Sequence, residues 1–147
     1  MSGIPKEIKI ISSLGLLPFF AGVIATFQLP IINGRFNLFL LEFSVLYSAL
    51  ILSFMGGCLF GFESLNDIKP NKYRLWASII PALWSLIALL IPSFSASILA
   101  VGFLIVYEFD RKSHSAGMTP KWWLSLRLPL TTTVILSLVV IGFTHEN

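Results

Sequence analysis

The chain has 147 residues, of which 56% are hydrophobic and 12% charged, a net charge of +3 and a mean hydropathy of +0.86. Soluble domains carry about 25% charged residues, so a water-soluble core of this length could not bury the apolar excess. The composition therefore predicts one integral membrane domain over residues 1–147, with an all-α fold in which a bundle of five transmembrane helices crosses the bilayer.

Three apolar runs are each long enough to cross a bilayer as one helix. A helix crossing ~30 Å of hydrocarbon at ~1.5 Å per residue needs ~20 apolar residues. Residues 10–29, 43–62 and 124–143 meet this requirement. The first run is too long for the apolar region of a signal peptide and has no A-x-A-like cleavage site, which predicts an uncleaved first span.

The third and fourth spans are predicted from one long uncharged stretch, residues 75–107. As a single helix it would be about 50 Å long, which is too long for one crossing. Pro92 and Ser93 in its middle can turn the chain, so a hairpin of two arms, 75–91 and 93–107, is predicted. The short arms leave open a re-entrant hairpin that enters the bilayer and returns.

Proline is also found inside three of the predicted spans. Pro18, Pro81 and Pro129 should kink the first, third and fifth helices, because each removes one backbone hydrogen bond. Packing adjustment is the favoured reason for these kinks, and a gating hinge is the alternative.

The basic residues predict the orientation of the bundle. With five spans, nine of the ten fall on one side of the membrane and only Arg35 on the other. This bias predicts a cytoplasmic N-terminus and an external C-terminus. The lack of an Arg- and Ser-rich transit peptide favours a multi-pass protein of the bacterial inner membrane. The nine are Lys6, Lys9, Lys69, Lys72, Arg74, Arg111, Lys112, Lys121 and Arg127.

Aromatic residues cluster at the same predicted boundary. Tyrosine and tryptophan rings anchor helices at the level of the lipid headgroups. Because the basic and aromatic residues lie in connections between spans, the lipid bilayer is the predicted partner and nucleic acid is not. The aromatic residues are Tyr73, Trp76, Tyr107, Trp122 and Trp123.

A stripe of small residues in the second span is the clearest packing pattern. Ala49, Ser53, Gly57 and Gly61 recur every four residues and so lie near one helix face. Small side chains there allow another helix to approach closely. Packing within the chain is the favoured interpretation, and a homo-oligomer or another membrane protein is the alternative.

Residues suited to catalysis or metal binding are few and far apart. His114 and His145 fall on opposite sides of the membrane, and Cys58 lies inside a span. A zinc site needs three or four converging ligands, and a nucleophile needs a base placed to activate it. The sequence therefore predicts no cofactor, no metal and no enzymatic activity.

Three charged residues flank the predicted cytoplasmic boundary. Glu63 ends the second span, Glu108 ends the fourth, and Arg127 lies just inside the fifth. Pairing lowers the cost of a charge near hydrocarbon, and a guanidinium can donate two hydrogen bonds to one carboxylate. We therefore predict that Arg127 pairs with Glu63 or Glu108. The alternative is three independent side chains that extend to the interface.

Several short segments carry a family resemblance: Ser53-Phe54-Met55-Gly56-Gly57 with Gly61, Ile80-Pro81-Ala82-Leu83, Gly102-Phe103-Leu104 with Tyr107 and Asp110-Arg111, and Pro120-Lys121-Trp122 with Leu126-Arg127-Leu128. These segments resemble the domain of unknown function 3429 family, the transmembrane protein 69-like proteins. The resemblance covers nearly the whole chain and implies a small polytopic membrane protein without an established activity. Where the family has a His-Trp pair after its paired glycines, this chain has Leu59 and Phe60, so any role of that histidine is lost here.

The leading functional hypothesis is a non-catalytic membrane component that packs against itself or in a larger complex. It depends on the small-residue stripe and on the scarcity of catalytic residues. A small transporter or channel is the alternative, suggested by the kinked helices and by Glu42, Glu63, Glu108 and Arg127 near the membrane.

Overall fold

The computed structural model describes residues 3–28, 32–65 and 70–145, and the regular structure in these ranges is helical. The predicted all-α fold is therefore confirmed. The elements are α1 (Lys6–Leu14), α2 (Leu17–Thr26), α3 (Gly34–Ser64), α4 (Lys72–Ala77), α5 (Ile80–Leu90), a 3-10 turn (Pro92–Phe94), α6 (Ser95–Ser115) and α7 (Trp123–His145).

Five helical segments in the described ranges are long and apolar enough to cross a membrane, as predicted. Several of their ends lie further out than hydropathy alone indicates, although the first span ends earlier, at Thr26. The second segment begins at Gly34 rather than at residue 43, because the Asn33 side chain caps it by accepting a hydrogen bond from the Arg35 backbone N–H. At 31 residues α3 is about 46 Å long, which exceeds the hydrocarbon thickness.

Two of the three prolines divide their spans. The first span is α1 followed by α2, and the third is α4 followed by α5. Pro18 and Pro81 each lie in the first turn of the second piece, where the missing N–H costs no helical hydrogen bond. In contrast, α7 continues as a helix through Pro129.

The third and fourth spans form a hairpin that turns at Ile91 and the 3-10 turn. The two segments have 19 and 24 residues. At ~1.5 Å per residue they measure about 28 Å and 36 Å, so each is long enough for a full crossing. These lengths favour two full spans over the re-entrant alternative.

The core of the bundle surrounds α3, which packs against α2, α5, α6 and α7. Phe19, Leu52, Leu99 and Phe103 are among its largest fully buried side chains. Many large apolar side chains instead cover the outside of the bundle. An apolar exterior around a packed core is the surface that a bilayer requires.

Close helix approach occurs at glycines outside the predicted stripe. A Cβ added to Gly56 would lie 2.5 Å from the Ser78 carbonyl oxygen, and one added to Gly102 would lie 2.5 Å from Leu52 Cδ2. Gly22 of α2 lies similarly close to Ser44 of α3. These three glycines therefore let α3 contact three other helices at short range.

The predicted orientation can be tested with a reporter that is active only in the cytoplasm. It should be active when fused after Ser115 or after Asp67, and inactive at Asn33 or at the C-terminus, because the basic residues favour the cytoplasmic side. Asp67 and Lys69 lie outside the described residues, as does the C-terminal residue Asn147. An active reporter at the C-terminus would contradict a five-span bundle with a cytoplasmic N-terminus.

Candidate functional site

A buried ion pair joins the last two spans. Arg127 Nε of α7 donates to Asp110 Oδ2 of α6 at 2.8 Å, and the two side chains are 7% and 0% exposed. The other carboxylate oxygen, Oδ1, accepts a hydrogen bond from Trp123 Nε1 at 3.0 Å. Both oxygens of the buried carboxylate therefore have partners, as a charge in such surroundings requires.

Local helix geometry brings these three residues together. The C-terminal part of α6 and the start of α7 lie side by side, so residues 17 positions apart meet. Trp123 precedes Arg127 by four residues and therefore lies on the same face of α7. The guanidinium carbon of Arg127 is 5.9 Å from the centre of the Trp123 ring, close enough for a cation–π contact.

The predicted partner of Arg127 was wrong. Glu63 forms an ion pair with Arg74 at 3.8 Å, and its Oε1 also accepts a hydrogen bond from the Asn71 backbone N–H. Glu108 pairs with Arg111, one turn further along α6, at 2.8 Å. The three residues of the predicted cluster therefore belong to three different ion pairs.

The wrong partner for Arg127 follows from the predicted end of the fourth span. The uncharged stretch predicts that the span ends at residue 107, but α6 continues to Ser115, so Asp110 still faces the packed interior. Asp110 follows the buried Phe103 and Val106 at helical spacing, and this signal was present in the sequence. Glu108, two residues earlier, projects outward instead and is 43% exposed.

A cavity of about 230 Å³ adjoins the buried ion pair. Its lining comes from the first, second, fourth and fifth spans and includes Phe19, Tyr47 and Phe103. Arg127 and Thr131 also line it, and each has a buried polar atom, Nη2 and Oγ1 respectively, without a hydrogen-bond partner. Most of the lining is apolar, and the two unpartnered atoms are buried within the fold rather than open to the cavity.

A second cavity of about 230 Å³ lies beside the other buried carboxylate. Glu63, Arg74 and Lys112 contribute one negative and two positive charges to its lining. Glu63 is only 1% exposed, and its ion pair with Arg74 joins the end of α3 to α4. This pair and the Arg127–Asp110 pair each join two helices.

The small-residue stripe divides between the inside and the outside of the bundle. Ala49 is buried in the core and Ser53 is half-buried. A Cβ added to Gly57 or Gly61 would meet nothing within 4 Å. The favoured prediction of packing within the chain was therefore wrong for these two glycines. Residues four apart differ by about 40° in direction, so the stripe turns away from the core along α3.

The residues considered for metal binding remain separate. Within the described ranges there is no group of three or more histidine, cysteine or acidic residues able to hold a metal. His114 Nδ1 lies 2.8 Å from Thr119 Oγ1, and Cys58 is half-buried in α3. The side chain of His145 lies outside the described part. The predicted lack of a cofactor stays a prediction.

Comparison with known proteins gives one family and one curated relative. The family model described as "Protein of unknown function (DUF3429)" matches residues 4–143. Transmembrane protein 69 of Xenopus tropicalis is 30% identical over 140 residues, which cover 92% of this chain and 53% of the relative. The chain therefore spans about half the length of this relative. No solved structure matches it.

Proposed function

The chain belongs to the family described as "Protein of unknown function (DUF3429)", and we propose a function for it from its sequence and its geometry. The protein is a non-catalytic, multi-pass component of the bacterial inner membrane, and it associates with a second copy of itself through the outer face of α3. The observation that carries this proposal is the open space over Gly57 and Gly61.

The outer face of α3 has a shape suited to another helix. Gly57 and Gly61 leave a shallow groove, and the exposed rings of Phe54 and Phe60 flank it. Between helices in lipid, association is driven by close packing rather than by the hydrophobic effect, and small residues permit that packing. A groove with apolar ridges beside it therefore supports helix association here.

A second copy fits this face better than an unrelated helix. In a two-fold dimer the same patch occurs on both subunits, so the ridge of one α3 lies in the groove of the other. Residues 43–62 contain no charged side chain, so two copies meet there without like-charge repulsion. A helix of a larger complex is the other possible occupant, and crosslinking distinguishes it from a second copy.

The absence of catalysis is part of the same proposal. The buried charges Arg127, Asp110 and Glu63 are engaged in ion pairs between helices, which supports a structural role for them. His114 contacts Thr119, which follows it by five residues. The buried charged groups of the described residues thus have partners within the fold.

The dimer is tested by disulfide crosslinking in native membranes. Gly57→Cys in a Cys58→Ala background should give a crosslinked dimer on mild oxidation, because two α3 helices place position 57 near the two-fold axis. The matched control is Leu128→Cys in the same background. Leu128 is 53% exposed on α7 and lies at a similar distance from the same end of the bundle.

Three crosslinking outcomes decide between the occupants. A band of twice the monomer mass with Gly57→Cys, and none with Leu128→Cys, supports the proposal. A band of another mass would identify a larger complex as the occupant of the groove. If both variants stay monomeric after oxidation, the outer face of α3 contacts lipid only.

A further inference from the structure

The cavity between α3, α4 and α6 is charged at its outer end and apolar further in. Both α3 and α6 end beside this cavity, and α4 begins there. Each of the three helices contributes one charged residue and, three or four positions deeper, one apolar residue. At ~1.5 Å per residue the apolar member lies about 5 Å closer to the middle of the bundle, so the cavity is amphipathic along the bundle axis. The pairs are Glu63 with Leu59, Arg74 with Ala77, and Lys112 with Phe109.

The cavity is open to the surroundings of the bundle. Tyr73 lines it and is 74% exposed, and Lys112 lines it and is also exposed. The volume of about 230 Å³ exceeds the ~150 Å³ of an engineered apolar cavity that admits benzene. Part of a larger molecule can therefore enter it from outside.

Arg74 keeps hydrogen-bond donors that a ligand can reach. Its side chain is 37% exposed, and its contacts with Glu63 Oε2 and Met118 Sδ both use Nη1. A guanidinium has five N–H donors. In the described part of the chain, the enclosed side-chain atoms without a partner belong to four other residues. The Nε and Nη2 atoms of Arg74, which donate no hydrogen bond within that part, are therefore accessible.

Two lysines beside the cavity have no carboxylate partner. Lys112 lines the cavity, and Lys72 has its Nζ 5.3 Å from the centre of the Tyr73 ring, which also lines it. Neither lysine forms an ion pair with another described residue. Two such cations at the mouth of an apolar cavity favour a ligand with a negative charge.

The nearby carboxylates do not cancel the charge of these lysines. Glu63 pairs with Arg74, and its Oε2 is enclosed within the fold. Glu108 lies one turn before Lys112 and attracts it, but accepts its hydrogen bond from Arg111 at 2.8 Å. The two carboxylates are thus matched by the two arginines, and the two lysine charges remain in excess.

An anionic phospholipid matches both parts of the cavity. Its phosphate accepts charge-assisted hydrogen bonds from guanidinium and ammonium groups, and its acyl chains are apolar. Basic pockets between membrane helices bind anionic headgroups in this way. A zwitterionic lipid brings its own cation toward the lysines and gains less from them. A water-soluble phosphate ester would leave the apolar wall uncovered.

We propose that this cavity binds one anionic phospholipid. The phosphate lies at the mouth, between the accessible donors of Arg74 and the ammonium group of Lys112, and an acyl chain begins against Ala77 and Phe109. The site shares no residue with the outer face of α3 around its two open glycines. It therefore does not depend on the proposed dimer.

The first test compares two lipids that differ only in the headgroup. Purified, delipidated protein in maltoside detergent is titrated with phosphatidylglycerol and with phosphatidylcholine of the same acyl chains, and the first bound lipid is measured by native mass spectrometry. Phosphatidylglycerol should bind about tenfold more tightly, because each basic residue near an anionic lipid contributes roughly a fivefold gain. Equal binding of the two lipids would overturn the proposal.

A second arm separates a lipid from a soluble phosphate ester. Glycerophosphoglycerol, the deacylated form of phosphatidylglycerol, carries the same phosphate without acyl chains. Added at the same concentration as the lipid, it should leave phosphatidylglycerol bound, because it makes no contact with the apolar wall. Displacement of the lipid under these conditions would overturn the proposal in favour of a soluble ligand.

Two lysine variants locate the lipid. Lys112 lines the cavity, whereas Lys121 is exposed at the same end of the bundle and does not line it. Lys112→Gln should lower the preference for phosphatidylglycerol about fivefold, and Lys121→Gln less than twofold. Equal effects of the two changes, whether both large or both small, would mean a general attraction to this end of the bundle and would overturn the proposal.

Discussion

Replacing Gly56 by alanine should destabilise the bundle strongly, whereas the same change at Gly57 should not. A Cβ at position 56 would lie 2.5 Å from the Ser78 carbonyl oxygen and 3.4 Å from two carbons of Pro81. Because the nearest atom belongs to the backbone, α3 and the third span must separate at the junction of α4 and α5 to make room. Overpacking of this kind costs about 1–3 kcal/mol, and sometimes more.

Gly57 is the matched control because it is the next residue in the same helix. A Cβ there would meet nothing within 4 Å, so alanine gains helix propensity without a clash. Even Gly57→Leu should leave the free energy of unfolding of the monomer within about 0.5 kcal/mol, since it projects away from the fold. The measurement is reversible unfolding in mixed micelles of detergent and dodecyl sulfate. Equal stability of Gly56→Ala and Gly57→Ala would contradict the observed packing.

The second large effect concerns the buried ion pair between α6 and α7. Arg127→Met should cost about 3–5 kcal/mol, because it leaves the carboxylate of Asp110 buried without its counter-charge. Asp110→Leu should cost a similar amount for the same reason. The double variant Arg127→Met with Asp110→Leu should recover most of the loss, since apolar residues of similar volume often replace a buried pair at little cost.

The exposed pair on the same helix is the control for this experiment. Glu108 and Arg111 are 43% and 60% exposed, so Glu108→Gln should lower the stability far less than Arg127→Met does. Adding Glu63→Leu or Glu108→Leu to Arg127→Met should not restore stability, because neither carboxylate faces Arg127. The observed pairing would be contradicted if Glu63→Leu or Glu108→Leu restored the stability of Arg127→Met and Asp110→Leu did not. All variants are compared by the same unfolding titration.

Several features of this protein follow from local sequence alone. The number of spans depends on the length of apolar runs against the thickness of the bilayer, which needs no knowledge of neighbouring helices. The breaks before Pro18 and Pro81 depend on the missing N–H of proline, which acts within its own helix. The family resemblance likewise required only short segments along the chain.

Contacts between helices could not be predicted in the same way. Each residue turns about 100° around a helix axis, so an error of one or two positions selects a different face. Gly57 belongs to the regular stripe, yet Gly56 is the residue that packs against Ser78.

The ion pairs differ from their prediction for the same reason. Glu108 lies at the predicted boundary, yet Asp110, two residues further along, is the residue that meets Arg127. The sequence by itself determined how many helices cross the membrane, and it marked three prolines, of which Pro18 and Pro81 lie at breaks whereas Pro129 lies within α7. Only the tertiary structure decided which side of each helix faces its neighbours, because that direction depends on how the helices rotate to pack together.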